Sequence, residues 1–193
     1  MGIRDDHRAR MLREIQRAAL DLVEQNGLDS TTVADIAARV GISERTVFRY
    51  YTSKVHALMP GQQGLIDALV AVESARSDPA GILADLLAAS REVFASEVER
   101  RVFRRVSRLL IREPDLLQVV AQQERALVES LSAALQERGA LGHLQSLVVA
   151  EVVTMAWRVA WKSFAREELE GRECDPLALF DDTVRELGGL LDG

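Results

Sequence analysis

A chain of 193 residues can bury a full hydrophobic core and makes either one large domain or two small ones. Its 48% hydrophobic and 28% charged residues are the balance of an ordinary soluble globular protein, and only four prolines interrupt runs rich in Ala, Leu, Val, Glu and Arg, which favours helices. The lone Cys174 excludes an internal disulfide and a thiolate metal site, and a net charge of -6 excludes a partner recognised by a protein basic throughout.

Charge is unevenly spread. Residues 1–54 hold nine Lys or Arg against eight Asp or Glu, whereas residues 55–193 hold 15 against 22, so a weakly positive N-terminal segment remains eligible for phosphate binding. The first residues are charged where a signal peptide needs an apolar run, and Leu147 to Trp161, broken by Glu151 and Arg158, is too short to cross a bilayer. The expected location is therefore the cytoplasm, with no membrane partner.

Met11 to Gln25 reads as an amphipathic helix with Met11, Ile15, Ala18 and Leu22 on one face, ended by Asn26-Gly27. Thr32 followed by Asp35 has the spacing of a capping box, and Ile36, Ala37 and Val40 give the helix behind it an apolar stripe. Gly41 stops that helix and Ser43 caps the next, Glu44 to about Tyr51. Thr52-Ser53 ends it and starts a further helix at Lys54, which Pro60-Gly61 interrupts. Leu65 to Val72 follows, then a linker over Ser74 to Gly81. Helical patterns then cover 80–95, 98–112, 115–138, 143–169 and 177–191. No run alternates with period two, so the expected fold is all-α.

Two short helices flanking the Gly41-Ile42 turn predict a helix-turn-helix. Val47 and Tyr51 fall on a face that packs against Ile36, Val40 and Ile42, while Arg45, Phe48 and Arg49 share the opposite face. Arginine takes guanine bidentately and aromatic rings contact thymine methyls or sugars, so that face suits a DNA groove.

The run Gly41-Ile42-Ser43-Glu44-Arg45-Thr46-Val47-Phe48-Arg49-Tyr50-Tyr51-Thr52-Ser53-Lys54 resembles the signature of the tetracycline-repressor (TetR) family, and Thr31 to Ala37 fits its upstream part. The resemblance covers about residues 12–58. It implies an N-terminal three-helix DNA-binding domain over 1–58 and a helical effector-binding and dimerisation bundle over 59–193. It further implies that Thr32 and Lys54 anchor phosphates, that Glu44, Arg45 and Thr46 approach the bases, that Tyr50 touches the backbone, and that Ser43 belongs to the same DNA-binding surface. Phe48 stands where the family more often has tyrosine, which removes one hydroxyl and leaves neighbouring Arg49 to supply charge instead. The expected protein is a homodimeric repressor of a palindromic double-stranded operator. The alternative is an effector-binding helical protein with weak or lost DNA binding.

Beyond the motif, Trp157, Trp161 and Phe164 lie at i, i+4 and i+7 on one helix. This stripe admits two readings, core or dimer packing and the lining of a ligand cavity with Phe94, Phe103 and Thr154. The resemblance adds the expectation of a small hydrophobic or acyl-coenzyme-A-like effector. Arg100, Arg104, Arg108 and Arg112, joined by Arg101 and Arg105, form a basic stripe that admits a solvated face, an anion site or ion pairs to the DNA-binding domain. His7, His56 and His143 lack metal-site spacing, and Cys174 has no adjacent cationic cluster. No nucleophile and base pair, phosphate loop or cofactor motif is present, so neither an enzyme nor a cofactor is expected.

Overall fold

The computed structural model describes residues 3–59, 63–100 and 102–191 and contains no strand among them. Ten helices follow in order: α1 (Ile3–Asn26), α2 (Val33–Val40), α3 (Glu44–Tyr50), α4 (Lys54–Leu58), α5 (Gln63–Val70), α6 (Pro79–Val98), α7 (Phe103–Arg112), α8 (Pro114–Glu137), α9 (His143–Leu169) and α10 (Pro176–Leu191). The all-α expectation holds. The chain forms two compact units, one from residues before 62 together with 109–119, the other from 62–108 and 120 onward.

In the first unit, Ile15, Ala18, Ala19, Leu22 and Val23 of α1 are buried, as are Leu28, Ile36, Ala37, Val47, Ala57 and Leu58. The period that buries the α1 stripe is the one legible in the sequence. The helix nevertheless begins at Ile3, eight residues before the expected Met11. No breaker stands between Ile3 and Met11, and charged residues sustain a solvent-facing helix as well as they do a loop.

Two other boundaries differ. Asp78 caps α6 by accepting the Gly81 amide at 2.7 Å, and Pro79 opens the helix where its missing N–H costs nothing, so the expected linker over Ser74 to Gly81 ends before Pro79. The expected helix over 98–112 is instead the end of α6 and the whole of α7. A tight bond from the Arg100 amide to Glu97 O at 3.0 Å closes the first. The interruption expected at Pro60-Gly61, and Arg101 of the basic stripe, lie outside the described residues.

The second unit is organised around α9, whose Ala150, Ala156 and Ala160 are fully buried, letting neighbouring helices approach closely. One end holds an aliphatic cluster including Leu65, Leu86, Leu127, Leu131, Val149 and Val153. The other holds an aromatic cluster of Phe94, Phe103, Phe164 and Phe180 with Ala160. Trp157 packs on both. Arg91 ties α6 to α10 through two bonds to Asp181, at 2.6 and 2.8 Å, and Arg158 ties α9 to Glu124 of α8 at 2.9 Å.

Candidate functional site

The turn between α2 and α3 is built from local hydrogen bonds. The Thr32 hydroxyl accepts the Asp35 amide at 3.1 Å and donates to Asp35 Oδ2 at 2.6 Å, while the Thr32 amide donates to the same oxygen at 2.9 Å. These bonds to Thr32 hold the Asp35 carboxyl below the usual carboxylate range. At the other end, Gly41 adopts φ 77°, and the Ile42 amide reaches back to Ala37 O at 3.0 Å. A side chain at position 41 would suffer the left-handed penalty, so glycine makes this reversal cheap. Ser43 then accepts the Thr46 amide at 3.2 Å and pairs with the Thr46 hydroxyl at 2.9 Å, opening α3.

One side of α3 is thereby committed to the interior. Val47 is buried, and buried Tyr51 donates its hydroxyl to Leu12 O of α1 at 3.2 Å. Burial pushes the Tyr51 phenol up to about 12, which keeps it a donor at any physiological pH. The opposite side is solvent-facing: Phe48 is 52% exposed, and Glu44, Arg45 and Arg49 are exposed with it. Thr46 and Tyr50 are half-buried. The structure thus brings Ser43, Glu44, Arg45, Thr46, Phe48, Arg49 and Tyr50 onto one short helix and its cap. Thr32 stands exposed at the start of α2.

Lys54 is placed differently from a simple surface cation. Its ammonium donates to Leu28 O at 2.6 Å and Thr31 O at 2.9 Å, bracing the loop before α2 from the start of α4. One of its three N–H directions remains. Sequence reasoning missed this brace, because it spans 23 to 26 residues and leaves no local pattern. It also missed Arg8, whose guanidinium lies 5.8 Å from the centre of the Tyr50 ring. The signal was available only in the early start of α1.

In the second unit, Phe94, Phe103, Trp157 and Trp161 meet as one aromatic assembly. Phe94 stands edge-on to Trp157 at 4.9 Å and to Phe103 at 5.8 Å, and Phe103 lies 6.4 Å from Trp161. Buried Thr154, one turn before Trp157, gives its hydroxyl to Ala150 O at 2.9 Å. Phe180 of α10, absent from the sequence expectation, tilts against Phe94 at 5.4 Å. Two polar atoms inside this unit, Ser90 Oγ and Trp161 Nε1, are buried without a hydrogen-bond partner. An open concavity of about 540 Å³ is lined by Arg104, Glu173, Cys174 and Asp175, and Cys174 packs on the aromatic cluster. Burial pushes the Cys174 thiol up, away from the thiolate form.

Two arginines of the stripe have ion-pair partners within the second unit, and a third bonds a backbone carbonyl. Arg100 meets Glu97 at 2.8 Å, Arg104 meets Glu168 and also lies over the Phe164 ring, and Arg108 donates to Arg104 O. Among the described residues no group of His, Cys, Asp and Glu has the arrangement of a metal site. No helix of the described residues is long and apolar enough to cross a membrane.

Residues 15–56 match the profile of bacterial regulatory proteins of the tetR family. Over 180 residues the chain is 25% identical to an HTH-type transcriptional regulator of Mycobacterium tuberculosis, with 92% of each chain covered. Its fold is similar to that of NalD, the secondary repressor of the MexAB-OprM multidrug efflux pump in Pseudomonas aeruginosa. That likeness has 14% identity, 92% and 96% of the two chains covered, and a TM-score of 0.57. It is also similar to SmeT, the repressor of the Stenotrophomonas maltophilia multidrug efflux pump SmeDEF, with 16% identity, 91% and 89% coverage and a TM-score of 0.57. SmeT has been solved in complex with triclosan, at 17% identity, 91% and 90% coverage and a TM-score of 0.58.

Proposed function

Because the chain belongs to the tetR family of bacterial regulatory proteins and is a DNA-binding transcriptional regulator, we propose that it is a ligand-responsive repressor that reads a palindromic operator as a homodimer in the cytoplasm. The observation that carries this reading is the two-sided α3, with Val47 and Tyr51 buried behind it and Arg45, Phe48 and Arg49 presented in front. An aromatic ring held in water between two arginines gains by entering a groove, where the guanidiniums find base edges and phosphates. Glu44, Arg45 and Thr46 at the start of α3 specify. Thr32, Ser43, Tyr50 and the remaining N–H of Lys54 position the protein on the backbone.

A second copy of the chain would cover the face of α9 opposite its core. Leu144, Leu147, Val148, Val159 and Leu169 all fall on that face and are between 37% and 71% exposed. Glu151, Lys162 and Arg166 share the face and are exposed as well, and half-buried Arg158 falls on it too. An apolar surface interspersed with charges of both signs suits a self-complementary two-fold interface.

The effector site is assigned to the aromatic assembly of Phe94, Phe103, Trp157 and Trp161, with Thr154 at its edge. The unpartnered Trp161 N–H and Ser90 hydroxyl would anchor a ligand that carries a hydrogen-bond acceptor on an apolar body. SmeT, of similar fold, has been solved with triclosan, which fits a small hydrophobic ligand class. α7 carries Phe103 in that assembly, so a ligand that displaces Phe103 acts on α7. Such a displacement shifts DNA affinity only if the ligand prefers one arrangement of α7 over the other.

Selection of bound duplexes from a random pool tests the DNA reading, with two inverted half-sites as the expected result. With the recovered duplex, Arg45→Ala removes about 1–3 kcal/mol of discrimination at one base position. Lys54→Ala lowers affinity for all duplexes alike and also lowers thermal stability through its lost brace. Recovery of no preferred sequence, together with no salt-dependent retention on DNA, overturns the reading.

A further inference from the structure

The extra turns at the start of α1 place a cation where the motif alone shows none. Arg8 is exposed, and its guanidinium carbon lies 5.8 Å from the Tyr50 ring centre; that of Arg49 lies 5.2 Å from the same centre. The contact is not an accident of a free helix end. The Tyr51 hydroxyl donates to Leu12 O, and Leu12 is one turn beyond Arg8, so the last turn of α3 is fastened to α1 at this level. Both distances are within the roughly 6 Å over which a ring face attracts a cation.

The guanidiniums of Arg8 and Arg49 both lie against one phenol ring, and among the described residues neither has a carboxylate partner. Each is therefore open to donate a charge-assisted hydrogen bond to an external anion. Tyr50 adds a phenol hydroxyl on the same patch, on the helix whose other residues face the proposed groove.

We infer that Arg8, Tyr50 and Arg49 form a clamp for one phosphodiester of the DNA backbone beside the bases that α3 reads. In this clamp Arg8 and Arg49 touch the phosphate, and Tyr50 is the platform that holds both guanidiniums in place. The inference rests on the DNA-binding reading above and adds to it a contact from α1, outside the turn between α2 and α3. Its consequence is affinity without sequence information, because every base pair offers the same phosphate.

The test is the salt dependence of binding, measured for the full chain on a selected duplex and on a random-sequence duplex of equal length. Each phosphate contact contributes about 0.9 to the slope of log affinity against log salt. Arg8→Ala is expected to lower that slope on both duplexes by part of the roughly 0.9 that this one phosphate contributes, since Arg49 remains on it. The Arg8→Ala, Arg49→Ala pair lowers it by the whole, and Arg8→Ala leaves the base preference of the selected site unchanged. Tyr50→Phe keeps the platform and the slope, whereas Tyr50→Leu lowers the slope as Arg8→Ala does. Arg8→Lys retains a charge and restores part of the slope. If the wild type binds DNA with a steep salt dependence and Arg8→Ala leaves it unchanged, the clamp is overturned while the DNA reading stands. If the wild type shows no salt-dependent retention on either duplex, both fall together.

Discussion

Phe48 and Phe94 are the same residue in opposite settings. Phe48 sits on α3, 52% exposed between two arginines, and Phe94 on α6 is wholly enclosed by Phe103, Trp157 and Phe180. Folding gains from the second and not from the first. An exposed ring that contributes nothing to the core is retained for an external surface, whereas an enclosed ring leaves room for a ligand only if the structure gives way. On the proposed reading the two units meet their partners differently. One would present a finished surface, and the other would open a packed interior.

The largest expected effect breaks this contrast from the interior side. Phe94→Ala removes a fully buried ring that touches three aromatic neighbours, so it costs about 3–5 kcal/mol in urea unfolding. Phe48→Ala is expected to change stability by less than about 0.5 kcal/mol while weakening DNA binding. Equal losses of stability for the two variants would erase the distinction between surface ring and core ring.

The two regions also differ in how much of each was legible in sequence. The α2 and α3 caps were readable because they are made by neighbours: Thr32 with Asp35, Gly41 with Ala37, Ser43 with Thr46. Spacing of three or four residues carries the whole mechanism. The Trp157, Trp161 and Phe164 stripe was readable as one face of α9, but its partner Phe180 comes from another helix and carries no periodic mark tying it there. The same holds for Arg104, which finds Glu168 across 64 residues, and for Lys54 bracing Leu28. Residues 109–119 belong to the first unit although some fifty residues separate them from α4. Their apolar Leu109, Leu110 and Leu116 looked like any helical stripe. Pattern shows that a side chain is turned inward; it does not show what meets it.

A middle-sized effect sharpens the view that the reading surface is set by local geometry. Gly41→Ala keeps the turn only by forcing an L-residue to φ 77°, at a cost of about 1 kcal/mol in stability. Nothing lies within 4 Å of a methyl group built there, so the loss is one of backbone conformation rather than of packing. DNA affinity is expected to fall with it, since α3 is aimed by this turn. A variant as stable as the wild type would show that long-range packing, not Gly41, sets the angle of α3.

The smallest effects separate the two units by the origin of their carboxylate shifts. Hydrogen bonds from the Thr32 hydroxyl and then its amide lower Asp35, and a bond from Arg91, supported by its charge, lowers Asp181. A carboxyl lowered on folding contributes stability that is present above its ordinary value of about 3.8 and is lost as pH falls through the lower folded value. Asp35→Ala and Asp181→Ala should therefore each reduce stability at neutral pH and flatten the acid limb below that value. Both groups are accessible to water, so both changes are modest. Added salt distinguishes them. It screens the Arg91 charge and shrinks the Asp181→Ala difference, whereas the bonds of the Thr32 cap involve no opposite charge and the Asp35→Ala difference persists. Chemical unfolding at low pH with and without salt measures both. A difference at Asp35 that vanishes with salt would mean that charge, not the capping bonds, holds the start of α2.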